Sequence, residues 1–255
     1  MARRVVLSVE RARRDEHVRL ALDHFRSLRV GESNSTLPRL AANAEYRRRL
    51  FPRWLGGEVR LTALAHGHER NSGLGIDGPD PDIYADGRDM ARFTAEADWL
   101  RQWVLPGGVL ATVEAGIALD HFELRQIGMT ASSEATEITP RAAVQLRWPL
   151  QKVAPGGAAH VIEPVLQLAW SGGSNPDIPN DENTVIEFDE GNLFNISRFV
   201  APDRRERGVS GAVGLSYTRV DPAGWEGRLA LGQVYREDRL REPDGGPYLR
   251  GRITA

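Results

Sequence analysis

Apolar residues recur at every second position through most of this chain, and almost nowhere at the spacing of an amphipathic helix. Segment 209–220 puts Val209, Gly211, Val213, Leu215 and Tyr217 on one face, with Ser210, Ala212, Gly214, Ser216 and Thr218 on the other. Segment 225–236 sets Trp225, Leu229, Leu231 and Tyr235 against Glu226, Arg228, Gly232 and Arg236. Segment 142–150 alternates Val144, Leu146, Trp148 and Leu150 with Gln145 and Arg147, and 160–170 alternates Ile162, Leu166, Leu168 and Trp170 with Glu163 and Gln167. Segments 93–105 and 109–122 oppose Phe93, Trp99, Trp103, Val109, Val113, Ile117 and Leu119 to Thr94, Glu96, Asp98, Thr112, Glu114 and Asp120. Weaker alternation runs over 5–12, 17–28, 38–50 and 58–69. The pattern predicts an all-β protein, an antiparallel up-and-down meander of about ten long strands.

Two features make this pattern that of a section of a transmembrane β-barrel. The runs hold for roughly 9 to 14 residues, where globular strands cluster near 5–6 and a tilted membrane-spanning strand needs about 9–11. The connections also alternate: Arg13–Glu16, Phe51–Gly57, Pro106–Gly108, Pro155–Gly157 and Asp221–Gly224 are short, while Arg29–Leu37, Arg70–Met90, Arg125–Pro140 and Gly172–Gly208 are long. Bacterial outer-membrane barrels have short periplasmic turns and long outer loops. One face is aliphatic with Trp or Tyr towards the strand ends; the other carries Arg, Glu, Asp, Gln, Thr, Ser and Gly. In a dry core that second face would bury charge at high cost, whereas it suits a wet lumen. Lumen-side positions inferred from alternation are Arg60, Glu114, Arg147, Glu163, Gln167 and Arg228. A soluble β-sandwich binding module with one solvated face, and a porin-like diffusion channel, are the alternatives.

Composition narrows the field. With 33 Lys+Arg against 35 Asp+Glu in 255 residues, the net charge of −2 offers no basic footprint for nucleic acid. The absence of Cys excludes disulfides and thiolate chemistry. A mean hydropathy of −0.40 and no apolar run near 20 residues exclude helical spans, but not barrel strands. Lys152 is the only lysine. The start, Met-Ala-Arg-Arg-Val-Val-Leu followed by Ser8 and Glu10, shows no visible signal peptide.

Chemical motifs are sparse. His66 and His68 share a strand face at a spacing open to a metal pair, without an assignable third ligand. The turn-rich acidic run from Asp77 through Asp82 to Asp89 does not match an EF-hand. No Gly-x-Ser-x-Gly elbow or phosphate-cradling glycine motif is present. No catalytic residue, cofactor or metal is therefore expected. Asn195-Ile196-Ser197 matches a glycosylation sequon with no meaning in a bacterial barrel. The stretch 183–207 is too apolar for a free loop; Phe188, Leu193, Phe194, Ile196 and Phe199 suggest an insertion folding back to cap or enter the barrel, with a partner-binding surface as the rival account.

The run Leu146-Arg147-Trp148-Pro149-Leu150, then Glu163-Pro164-Val165 with Gln167, resembles the LptD (OstA) family of lipopolysaccharide-assembly proteins, in its alphaproteobacterial flavour. So do Glu187-Phe188-Asp189-Glu190-Gly191-Asn192-Leu193-Phe194, Arg198-Phe199 and Asp203-Arg204, and upstream Ser33–Pro38 and Tyr46–Arg49. The resemblance runs from about residue 5 to about 238. It implies a non-catalytic outer-membrane protein that helps insert lipopolysaccharide into the outer leaflet. Family members form a barrel of 26 strands joined to a periplasmic jellyroll. The implied partners are lipopolysaccharide, the plug lipoprotein and the periplasmic bridge components of the transport machinery. Residues 1–238 are read as a partial barrel domain, without jellyroll or gate strands, and 239–255 as an unpatterned tail.

Overall fold

A computed structural model describes residues 4–29, 34, 35, 37–72, 87–125, 134–178, 191–199 and 201–237, and the backbone of 2–3 and 248–254. The strands are β1 (Ala2–Arg13), β2 (Glu16–Ser27), β3 (Pro38–Leu50), β4 (Glu58–Arg70), β5 (Asp89–Val104), β6 (Leu110–Arg125), β7 (Glu134–Arg147), β8 (Leu150–Val153), β9 (Ala159–Ser171), β10 (Gly208–Val220), β11 (Glu226–Arg236) and β12 (Tyr248–Thr254). Their order in the sheet is β1-β2-β3-β4-β5-β6-β7-β9-β10-β11-β12, with β8 pairing β9. This is the all-β antiparallel meander that the alternation predicts.

Three boundaries differ from the sequence reading. The run 142–150 is two strands, because Pro149 has no N–H for a ladder; Trp148 instead donates its backbone N–H to the Pro164 carbonyl at 3.0 Å. Strand β7 begins at Glu134, inside the connection expected to run from Arg125 to Pro140. Its first turn of chain, Glu-Ala-Thr-Glu-Ile-Thr, has too few apolar residues to register as a strand. The tail holds β12, antiparallel to β11 from Thr254 opposite Glu226 to Tyr248 opposite Gly232. There the ladder compensates for a sequence interrupted by Arg250, Gly251 and Arg252.

The short turns are built from local chemistry. In the β10–β11 turn the Asp221 carboxylate accepts the Ala223 N–H at 3.1 Å, and Gly224 takes φ 94°, a left-handed conformation that a side chain would strain. Gly107 and Gly108 do the same between β5 and β6, both with φ near 78°.

Contacts divide the chain into two compact units. One comprises Met1–Asp98, Ile117–Thr139 and Ser174–Asp181, the other Trp99–Gly116, Pro140–Gly173 and Glu182–Ala255. In the first, one sheet face is exposed and apolar: Leu7, 70% exposed, stands opposite Leu22, and Val9 opposite Leu20. The other face carries polar groups and, towards the long connections, a small apolar core of Met90, Phe122, Leu124 and Ile178. Along β6 the pattern therefore inverts. Ile117 and Leu119 point to the exposed face, whereas two turns of pleat later Phe122 and Leu124 point to the covered face and Glu123 outward. Reading the 109–122 run as uniformly polar on that face misses this reversal.

Candidate functional site: a polar face, a buried strap and an apolar face

In the first unit the polar face is a hydrogen-bonded chain. The Arg4 guanidinium pairs with Asp23 at 2.7 Å. Asn43 Nδ2 donates weakly to Asp23 at 3.5 Å, and its Oδ1 meets His66 Nδ1 at 2.8 Å. His66 Nε2 lies 3.3 Å from His68 Nδ1, and His68 Nε2 lies 3.0 Å from Arg70. A guanidinium can only donate, so His68 Nε2 accepts, its Nδ1–H donates to His66, and His66 Nδ1–H donates to Asn43. In this arrangement both rings use their lone pairs, leaving neither for a cation; among the described residues no group of three potential metal ligands clusters. Arg60 lies on this face opposite Arg49, and its Nε donates to Glu58 at 2.6 Å. Thr94 donates to the buried Asp120 at 2.7 Å.

In the second unit, Arg147 grips Glu163 through both carboxylate oxygens at 2.9 Å. Gln145 donates to the buried Gln167 at 3.0 Å. Arg228, Arg147 and Glu163 line one cavity of about 250 Å³ with Leu193 and Phe194. Glu114 sits at a polar-face position of β6 in the same parity as Ala118 and Asp120.

Residues 191–199 and 201–207 form a strap on the polar face of β10 and β11. Asn192 opens a turn, its carbonyl accepting the Asn195 N–H at 3.0 Å. Leu193, 3% exposed, and Phe194 then pack on Ala212 and Val234. Their socket is a glycine pair, Gly214 opposite Gly232 in the ladder. A methyl group at Gly232 would meet Leu193 Cδ2 at 2.4 Å, and one at Gly214 would meet the Phe194 ring at 2.8 Å. Behind this knob lies a buried ion cluster. Glu206 receives Arg198, and Arg236 donates to both of its oxygens at 3.1 and 3.2 Å. Arg198 also donates to the Leu193 carbonyl at 2.9 Å, and the Glu206 N–H donates to Ser197 Oγ at 3.2 Å. Asp203 is fully buried, and the Arg204 guanidinium donates to its carbonyl at 2.6 Å. Phe199 is half-buried.

The motif residues thus fall in three places. Glu163 and Gln167 lie on the polar face, Asn192, Leu193, Phe194, Arg198, Phe199, Asp203 and Arg204 in the strap, and Trp148, Pro149, Leu150 and Pro164 at the break between β7 and β8 and on the strands beside it. Pro164 stands opposite Leu215, and Leu150 opposite Ile162. Glu187, Phe188 and Asp189 lie outside the described residues. Alternation puts Gly214, Gly232 and Arg236 on the polar face without marking them as the strap's seat, and it misses Glu206. The available signal was a pair of glycines at polar-face positions of adjacent strands, facing a stretch too apolar to be loop.

The opposite face of this unit is a ladder of exposed apolar rows. Leu150, Ile162, Tyr217 and Leu229 form one; Leu146, Leu166 and Val213 another; Val144, Leu168 and Tyr235 a third; Trp170 and Val209 a fourth. Leu168 is 61% exposed beside Gln167 at 5%. A dozen such half-exposed side chains amount to on the order of 1,000 Å², beyond the largest apolar patch of a typical soluble monomer.

No curated protein matches the chain. The sequence profile described as LPS transport system D matches residues 7–250, nearly the whole length and well into the region after Asp238. Its span takes in the paired polar face, the strap and the apolar rows alike, and on it the chain belongs to the LptD family.

Proposed function

We propose that this chain is a wall segment of an outer-membrane β-barrel through which lipopolysaccharide reaches the outer leaflet. The family is one of lipopolysaccharide transport and assembly. The observation that carries the finer reading is the height and register of the apolar rows. From Ile162 to Trp170 the apolar rows of β9 span about 27 Å at about 3.4 Å per residue; at a tilt of about 35–45° that is about 19–22 Å along the membrane normal, close to an apolar band of about 25 Å. Tyr217 and Trp225 stand at its short-turn end and Trp170 and Tyr235 at the other. On this reading the polar face lines the lumen, where water reaches pairs such as Arg147–Glu163, and the strap, held by its own buried ion cluster, narrows the passage from within. The inversion at Phe122 and Leu124 marks where β6 rises out of the bilayer, so that its outer side turns polar.

The plug lipoprotein and periplasmic bridge are the partners this assignment implies. The test is site-specific photo-crosslinking in cells making lipopolysaccharide, in the protein's natural genomic context. A probe replacing Arg228 is expected to capture lipopolysaccharide or the plug, and one replacing Leu166 to capture membrane lipid. Capture of neither, with cooperative folding in plain buffer, would show a soluble β protein instead.

A further inference from the structure

Resting on that membrane reading, we propose that the short-turn margin of the first unit's apolar face is a docking strip for the headgroups of anionic glycerophospholipids. The ladder registers place Arg13, Glu16 and Arg48 in one row across β1, β2 and β3, and Arg11, Val18 and Tyr46 in the next row on the same face. Val9, Leu20 and Ala44 follow, then Leu7, Leu22 and Ala42. Three arginines and one glutamate therefore border the apolar rows in register, where the chain turns back.

The charges of this margin do not cancel. Arg11 pairs with one oxygen of Glu16 at 2.9 Å and Arg48 reaches the other at 3.9 Å, so a single carboxylate serves two guanidiniums. Arg13 is exposed and makes no ion pair among the described residues. In the β1–β2 turn Arg14 offsets Asp15, and the β3–β4 turn adds Arg53, also exposed. The nearby polar-face arginines are engaged on the other side of the sheet. Arg47 pairs with Glu45 at 2.8 Å, and Arg49 and Arg60 converge on Glu58 at 2.8 and 2.6 Å.

The turns fix the strip beside the apolar face. The Arg49 N–H donates to the Asp15 carbonyl at 2.9 Å, tying the β1–β2 turn to the end of β3. In the β3–β4 turn the Leu55 and Gly56 N–H groups both donate to the Pro52 carbonyl, at 3.2 and 3.0 Å, and present Trp54 85% exposed. A tryptophan at the border of an apolar face suits the headgroup level of a membrane. Guanidiniums offer paired N–H donors that fit phosphate oxygens two at a time. An acidic protein segment would meet the same charge but leave uncovered the apolar rows that continue from it. A zwitterionic leaflet has no net charge to match the strip, whereas each Lys or Arg at an anionic surface shifts binding about fivefold.

The test is the partition of spin-labelled phosphatidylglycerol against spin-labelled phosphatidylcholine around the full chain, reconstituted in phosphatidylcholine vesicles. The expected result is a preference for phosphatidylglycerol of about fivefold or more at low salt, weakened by added salt. Arg13→Gln together with Arg48→Gln should lower it to about twofold or less, and Arg47→Gln on the polar face should leave it unchanged. Equal partition, or a preference that the double variant leaves intact, overturns the strip while leaving the membrane reading in place. Equal partition with a photo-crosslinker at Trp54 capturing a protein in cells would make the margin a protein-docking surface instead. Failure to insert into vesicles of any composition, read by protease accessibility, overturns both the strip and the membrane reading.

Discussion

The docking of Leu193 into the glycine pair offers a quantitative test of the strap. A methyl at Gly232 would come 2.4 Å from Leu193 Cδ2, 3.1 Å from Cδ1 and 3.2 Å from the Val213 carbonyl oxygen. The first two contacts are with the end of a side chain, so Leu193 must leave its seat. Overpacking of this kind costs about 1–3 kcal/mol. Strand β11 stays folded whether the strap is docked or open, so the backbone-entropy gain from replacing glycine cancels in that equilibrium, leaving Gly232→Ala the full penalty of about 1–3 kcal/mol on strap docking. Leu193→Ala forfeits a buried side chain and leaves a hole, costing about 2–5 kcal/mol. The double variant puts the new methyl into that hole, so the two effects must fall short of additive, with a coupling of about 1 kcal/mol or more. Trypsin reads this directly, since Arg198, Arg204, Arg205 and Arg207 lie in the strap and cleavage there requires opening. Initial rates should rise about 5- to 150-fold for Gly232→Ala and at least about 30-fold for Leu193→Ala, with the double variant below the product of the two. Strict multiplicativity, or a Gly232→Ala rate equal to that of the parent, would refute the knob-and-socket account.

Glu206→Gln removes the carboxylate that Arg198 and Arg236 share; at 3% exposure of Glu206 the expected loss is about 3–5 kcal/mol of strap stability, measured by hydrogen exchange of the 195–206 amides. Leu166→Arg, in the middle of the apolar rows, should cost about 2–4 kcal/mol in urea unfolding from lipid vesicles, whereas a water-facing position would tolerate it within about 0.5 kcal/mol. Arg147→Ala together with Glu163→Ala should change unfolding by about 1 kcal/mol or less, because the pair is partly exposed. The Ala223 N–H, and then Arg219, hold the Asp221 carboxyl below its ordinary range. The carboxylate's contribution to the turn is therefore complete above that range and lost as pH falls through the lowered value, so an NMR titration should show the Ala223 amide moving only below the midpoint of an exposed aspartate.

Period-two alternation by itself determined most of the strands and which side each of their residues takes. That information is local: a strand turns its side chain over at every residue, so Leu166, Gln167 and Leu168 declare their sides without reference to the rest of the chain. The motifs around Trp148–Leu150 and Asn192–Phe194 carried the family likewise. What tertiary structure decided depends on partners distant in sequence. Whether Leu193 inserts between β10 and β11 depends on Gly214 and Gly232 meeting in register, which neither glycine announces alone. Glu206 joins Arg198 to Arg236 only because the strap folds onto β11. Strand β12 exists because β11 offers it an edge, despite a sequence with little alternation of its own. Phe122 and Leu124 face inward because Met90 and Ile178 come to cover them. Alternation encodes which side a residue takes; only the folded chain supplies what waits there.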